Sequence, residues 1–184
     1  MKTDSEPNRL ALYPGTFDPF TYGHLDIVER ASRIFDTVEV TVAINNSKEP
    51  LFDPDERCRL IDACTDHLPN VSVVTFEGLL VEYADRRGAR VLVRGLRQVS
   101  DFDFEFRMAF ANRRLKPDIE TVFLMTSEAH ALISASIVRE IFSWNGDVSS
   151  FVPDPVLDAL RARAPSRGPT SPGLRTASFP PRGD

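Results

Sequence analysis

Cysteine is scarce: Cys58 and Cys64 are the only two in 184 residues, with no CxxC pair between them. That excludes a disulfide-stapled scaffold and a thioredoxin-type motif, and predicts reduced thiols in a cytoplasmic protein. A basic excess is missing too. With 22 Lys and Arg against 27 Asp and Glu, the net charge of −5 excludes a protein that coats nucleic acid through a broad basic surface, so no nucleic-acid partner is predicted. Nor is there a long apolar run. The opening MKTDSEPNRL is polar and precedes only a short apolar stretch, which supplies neither a secretory signal nor the roughly 20 apolar residues of a membrane span. No membrane partner follows from such a chain. Internal repeats are lacking, and neither GxGxxG nor GxxxxGK[ST] occurs, which removes the dehydrogenase fingerprint and the Walker P-loop.

What is present suits one packed domain. A hydrophobic content of 42% in a chain of this length can fill a single core, placed here at residues 10–164. Residues 1–9 read as a flexible N-terminus. From Pro165 the sequence PSRGPTSPGLRTASFPPRGD has no apolar period and reads as a disordered tail.

Inside the domain, strand-like and helix-like segments alternate. Leu10–Tyr13 is a short apolar strand, and Leu25, Val28, Ala31 and Phe35 recur at helical spacing over His24–Phe35. Val38–Ile44 alternates with a period of two; Asp53–Leu68 suits a helix with Cys58, Ile61, Cys64 and Leu68 on its core face. Val71–Phe76 is again strand, Leu79–Arg87 a helix stopped by Gly88, and Arg90–Val93 a strand ending at Arg94-Gly95. The remainder reads as a helix over Phe102–Arg114, a strand over Thr121–Met125, and helices over Ser136–Ser143 and Pro153–Arg163. Five strands joined by helices predict an α/β fold with a doubly wound sheet of five parallel strands and flanking helices, since parallel neighbours need crossovers.

Ligands bind such sheets beyond the carboxyl ends of the strands. The loops at those ends are PGTFDPFTYGH, NNSKEPLF, FEGLL, RGLRQVSDFDFE and MTSEAHALISAS, where hydroxyls, glycines and isolated cations recur. Phosphate recognition uses those groups. Gly23 would let a phosphate approach the backbone, and His24 at a helix start could donate a hydrogen bond to an oxygen gaining charge. On residues alone a helix-capping loop with a solvent-facing histidine explains GH equally well. Lys48 and Arg97 likewise read either as phosphate counter-charges or as solvated surface cations, Glu105 as a ligand contact or an exposed helix residue, and Ser134 as an N-cap compatible with phosphate binding.

The segments YPGTFDPFTYGH, RGLRQVSDFDFEFRMAFANRRLKPDIETVFLM, ISASIVREI and GDVSSFVPDPV, in this order across roughly residues 10–160, closely resemble the bacterial phosphopantetheine adenylyltransferases of the nucleotidylyltransferase superfamily. The resemblance implies a Rossmann-like fold and transfer of AMP from ATP to 4'-phosphopantetheine by direct in-line attack, giving dephospho-coenzyme A and pyrophosphate, the penultimate step of coenzyme A synthesis. It assigns His24 to the α-phosphate in the transition state, Thr16 and Lys48 to the acceptor phosphate, Arg94 to the acceptor, and Leu80 and Asn112 to the pantetheine arm. It places Thr16, Phe17, His24, Gly95, Leu96, Arg97, Glu105 and the run His130-Ala131-Leu132-Ile133-Ser134-Ala135-Ser136 at ATP, with Ser134 and Ser136 on the β- and γ-phosphates. It further implies a homohexamer, coenzyme A as a feedback ligand, and Mg²⁺ arriving with ATP. A protein-held metal is not expected, because Asp101, Asp103 and Glu105 alternate along a helix and do not share a face.

Two departures stand out. Ala135 removes one hydroxyl from the family's usual ISSS, and the usual TNGH is TYGH here, with Tyr22 before Gly23. Two alternatives to the activity remain at this level: a sibling nucleotidylyltransferase using another phosphorylated acceptor, and a non-catalytic nucleotide-binding regulator.

Overall fold

The computed structural model describes residues 9–44 and 50–163; the expectations for residues 1–8, for Lys48 and for the tail 165–184 fall outside them. Strands β1 (Leu10–Gly15), β2 (Thr37–Ala43), β3 (Val71–Phe76), β4 (Val91–Leu96) and β5 (Glu120–Met125) alternate with helices α1 (Tyr22–Ile34), α2 (Pro54–Thr65), α3 (Leu80–Arg87) and α4 (Val99–Leu115). A 3-10 turn at Glu128–His130, α5 (Ala135–Ser143) and α6 (Asp154–Arg163) complete the described chain. All pairings are parallel and the strand order is β3-β2-β1-β4-β5, so the chain winds outward one way from β1 and then the other way from β4. That reversal opens a crevice at the carboxyl ends of β1 and β4. The five-stranded parallel sheet with flanking helices is the one predicted.

The crevice has a visible origin in the register. β1 pairs with β2 through six residues, ending at Gly15 opposite Val42, but it pairs with β4 only at Ala11–Val91 and Leu12–Leu92. Beyond Leu12 the two central strands part.

Several boundaries move relative to the sequence reading. β1 continues through Pro14 and Gly15, and β4 through Arg94 and Gly95, so residues read as breakers lie inside strands. A proline removes a backbone donor, yet on the β4 side β1 has no ladder left to lose. The alternation in β2 does not mark a solvent face: Glu39 and Thr41 are 1% and 0% exposed. α3 covers that side, and the Glu39 carboxylate accepts hydrogen bonds from the Tyr83 hydroxyl and the Arg87 guanidinium. α4 begins three residues earlier than expected, and α2 stops at Thr65 instead of Leu68. Cys58 and Cys64 both lie on α2 as free thiols, and burial pushes the Cys64 thiol up to about 12. Among the described residues no helix is long and apolar enough to cross a membrane.

Candidate active site

α1 starts two residues earlier than the sequence reading placed it. Thr21 is the N-cap and His24 the third helical residue, in a reciprocal capping box. The His24 amide bonds the Thr21 hydroxyl at 3.4 Å, and the Thr21 amide donates to Nδ1 of the His24 ring at 3.1 Å. A ring nitrogen that accepts an amide proton carries none itself, so the neutral ring holds its proton on Nε2. Phe17 meets the imidazole edge-on with centroids 5.2 Å apart, and Phe20 lies at 5.6 Å. The ring is fixed in orientation and tautomer before any ligand arrives.

Burial, with a smaller contribution from the positive charges of Arg97 and Arg94, lowers the His24 pKa from 6.5 to about 4. His24 is therefore a neutral donor at physiological pH. An unfolded chain takes up this proton near 6.5 and the folded one only near 4. Lowering the pH through that window thus favours the unfolded state, and the contribution lost there is fully present above it. An NMR titration of the His24 Cε1–H resonance is expected to show a midpoint well below 6, close to 4. A midpoint of 6 or higher overturns this picture of the ring.

His24 lines a cavity of about 820 Å³ at the carboxyl ends of β1 and β4. Of the residues singled out in the sequence, Thr16, Phe17, Arg94, Gly95, Arg97, Glu105, Ile133, Ser134, Ala135 and Ser136 line it as well. Leu80, Leu96, Asn112, His130, Ala131 and Leu132 do not: Asn112 is buried on α4, Leu132 is 85% exposed, and the His130 ring stacks on Tyr22 at 5.7 Å.

The cavity carries charge of both signs in fixed pairs. Arg94 forks onto Glu105 through bonds of 2.7 and 2.5 Å, and its remaining terminal nitrogen donates to the Pro14 carbonyl at 2.6 Å. It thus spans the gap where β1 and β4 have parted. Arg97 is held by Asp101 at 3.0 and 3.2 Å. On the opposite wall Ser134 caps α5, accepting the Ile137 amide at 3.2 Å, with the Ser136 hydroxyl 3.0 Å from its own. A capped helix start with two hydroxyls is suited to an anion. Gly23 is not required by packing, since a Cβ there meets its nearest neighbours at 3.6 Å or more. The bare backbone is available to a ligand.

Sequence reasoning gave no role to three charged residues of the cavity. Arg57 sits on the core face of α2 with Ile61 and Cys64, and a cation at that spacing was the signal for it. Asp18 had only its place between Phe17 and Pro19 to mark it; its carboxylate accepts the amides of Leu51 and Phe52 at 2.9 and 3.0 Å. Arg139 on α5 donates to the Asp18 carbonyl, a contact no local pattern announces. Among the described residues there is no group of three or more His, Cys, Asp or Glu side chains placed to hold a metal.

Residues 12–141 match the cytidylyltransferase-like family model. A phosphopantetheine adenylyltransferase of Heliobacterium modesticaldum is 50% identical over 166 residues, covering 86% of this chain and 99% of its own length. One from a Synechococcus strain is 52% identical over 156 residues, covering 85% and 98%. Among solved structures, the nicotinic acid mononucleotide adenylyltransferase of Plasmodium falciparum, in complex with NaAD, superposes with a TM-score of 0.64 over 85% of this chain and 96% of its own, at 12% identity. That likeness concerns the fold, which is Rossmann-like.

Proposed function

The chain belongs to the phosphopantetheine adenylyltransferase family, and from that premise we propose how its residues carry the reaction. The enzyme transfers the adenylyl group of ATP to 4'-phosphopantetheine, giving dephospho-coenzyme A and pyrophosphate. The acceptor phosphate is already anionic, so its oxygen attacks the α-phosphorus in line without a general base, the α–β bridging bond breaks, and pyrophosphate leaves with that electron pair. No covalent enzyme intermediate is needed.

The observation that carries this mechanism is the neutral His24 on the cavity wall, with Nδ1 occupied and Nε2–H as its remaining donor. Aimed at a non-bridging α-phosphate oxygen, it stabilises charge that grows in the transition state. Thr16 and Lys48 hold the acceptor phosphate, Arg94 the acceptor, and Leu80 and Asn112 the pantetheine arm. Thr16, Phe17, His24, Gly95, Leu96, Arg97, Glu105 and the stretch from His130 to Ser136 serve ATP, whose β- and γ-phosphates meet Ser134 and Ser136 at the α5 start. Mg²⁺ comes with ATP and neutralises its phosphates; of the acids lining the cavity, Glu105 and Asp101 are occupied by Arg94 and Arg97, and Asp18 by the amides of Leu51 and Phe52. We assign residues 10–164 to one catalytic domain working in the cytoplasm as a homohexamer, with coenzyme A as a feedback ligand. Exposed Phe104, Phe106 and Phe110 on α4 support the assembly.

Pyrophosphate release from Mg-ATP is the test, with 4'-phosphopantetheine, nicotinamide mononucleotide and glycerol 3-phosphate compared as acceptors. Release with phosphopantetheine alone, accompanied by dephospho-coenzyme A, is the expected result. Release with another acceptor makes the protein a sibling enzyme, and ATP binding without turnover makes it a regulator.

A further inference from the structure

The C-terminal turn of β1 is gripped by an arginine on each side. On the β4 side it is Arg94, through the Pro14 carbonyl. On the β2 side it is Arg57, whose Nη1 donates to the Thr16 carbonyl at 2.6 Å and to the Ala43 carbonyl at 3.4 Å. The β1–β2 ladder ends at Gly15 opposite Val42, so Thr16 and Ala43 are the first residues past it. Arg57 takes the two carbonyls that a further rung would involve. It closes the ladder and holds the turn that starts with Thr16.

Charge separates Arg57 from the other arginines of the cavity. Arg94, Arg97 and Arg139 each have a carboxylate partner, in Glu105, Asp101 and Asp18. Among the described residues Arg57 has none: its bonds go to the carbonyls of Thr16, Ala43 and Asp53, and neither hydrogen of Nη2 has a partner. Yet the residue is only 3% exposed and lines the cavity. A buried guanidinium hydrogen-bonded only to carbonyls is costly, and its positive potential in a low-dielectric wall acts on an anion that enters beside it.

We infer that Arg57 is a positioning residue for the acceptor phosphate: it fixes Thr16 through the main chain and supplies, from behind the turn, the positive potential of a guanidinium that no described carboxylate pairs with. This rests on the reading that Thr16 orients that phosphate. On the same reading the ATP β- and γ-phosphates are held by Ser134 and Ser136 at the α5 start, so the larger effect falls on the acceptor.

The experiment is steady-state kinetics and calorimetric binding on the full chain for wild type, Arg57→Gln and Arg57→Lys, with Tm recorded for each. For Arg57→Gln we expect KM and Kd for 4'-phosphopantetheine to rise about tenfold or more, with Kd for ATP within about twofold. Arg57→Lys, which keeps the charge without the fork, recovers part of the loss. Equal weakening of both substrates, or a lowered Tm with acceptor binding unchanged, overturns the inference. Should Arg57→Gln not fold, Arg57→Lys decides alone: a selective rise in acceptor KM supports the role and an unshifted KM sinks it. Wild type separates this from the premise. If it makes no dephospho-coenzyme A, the acceptor assignment fails and takes the inference with it; wild-type turnover with unshifted variants removes Arg57 alone.

Discussion

His24→Ala is expected to lower kcat by about 10²- to 10³-fold while ATP affinity falls by less than about fivefold, because the lost interaction strengthens only as charge develops on the α-phosphate. The magnitude is that of removing one preorganised donor from a site shielded from water. Preorganisation is what the surroundings of His24 provide: Phe17 and Phe20 pin the ring, and the Thr21 amide occupies Nδ1. The substitution also removes half of the capping box, a loss of about 0.5–2 kcal/mol in stability that thermal unfolding reads separately from turnover. His24→Gln is the informative companion. Its amide offers an N–H of similar polarity, so a partial recovery of kcat locates the function in hydrogen-bond donation; general acid–base chemistry would not be restored by an amide. A kcat for His24→Ala within threefold of wild type ends the proposed role.

Much of this site was legible because β1 and β4 deliver it. A strand reads as apolar and β-branched until it reaches the chemistry, and then the sequence turns to Pro14-Gly15 and Arg94-Gly95. Those residues looked like the ends of strands; they lie inside the strands and line the cavity. Parallel order followed from the helices between strands, and the loop listing placed Thr16, His24, Arg94, Arg97 and Ser134 on one face. Legibility ended where a role depends on a partner remote in sequence. Arg57 and Thr16 are 41 residues apart, Arg139 and Asp18 121, and nothing in either local pattern names the other. The position of His24 inside its helix was misread for a smaller reason: Thr21 was available as an N-cap, and a histidine can close a capping box as glutamate does. Phe17 at φ 52° lies in a region few phenylalanines adopt, and periodicity carries no trace of it.

The largest stability effect is expected at Asp18, where sequence suggested only a turn. Its carboxylate is 5% exposed by residue and receives two amides, Leu51 at 2.9 Å and Phe52 at 3.0 Å, which tie the chain just after residues 45–49 to the turn that carries Thr16. Hydrogen bonds to a charged group contribute about 1.5–3 kcal/mol each, and leaving buried donors unsatisfied costs a similar amount. Asp18→Ala should therefore destabilise the protein by about 3–5 kcal/mol, a fall in Tm on the order of 10 °C for a chain of this size. Asp18→Asn distinguishes amide acceptance from ion pairing. An asparagine can accept one amide through its oxygen but turns its own NH₂ toward the other, so two donors face each other and most of the loss remains. The competing source of stability is Arg139, whose guanidinium lies 3.8 Å from the Asp18 carboxylate with its side chain 44% exposed. At that distance, and with the arginine half-exposed to solvent, the pair is worth about 1 kcal/mol or less. Thermal unfolding of Asp18→Ala, Asp18→Asn and Arg139→Gln side by side should give two large shifts and one small one. A large loss for Arg139→Gln with a mild one for Asp18→Asn would move the stabilisation from the amides to the ion pair, and with it the reason an acid stands before Pro19.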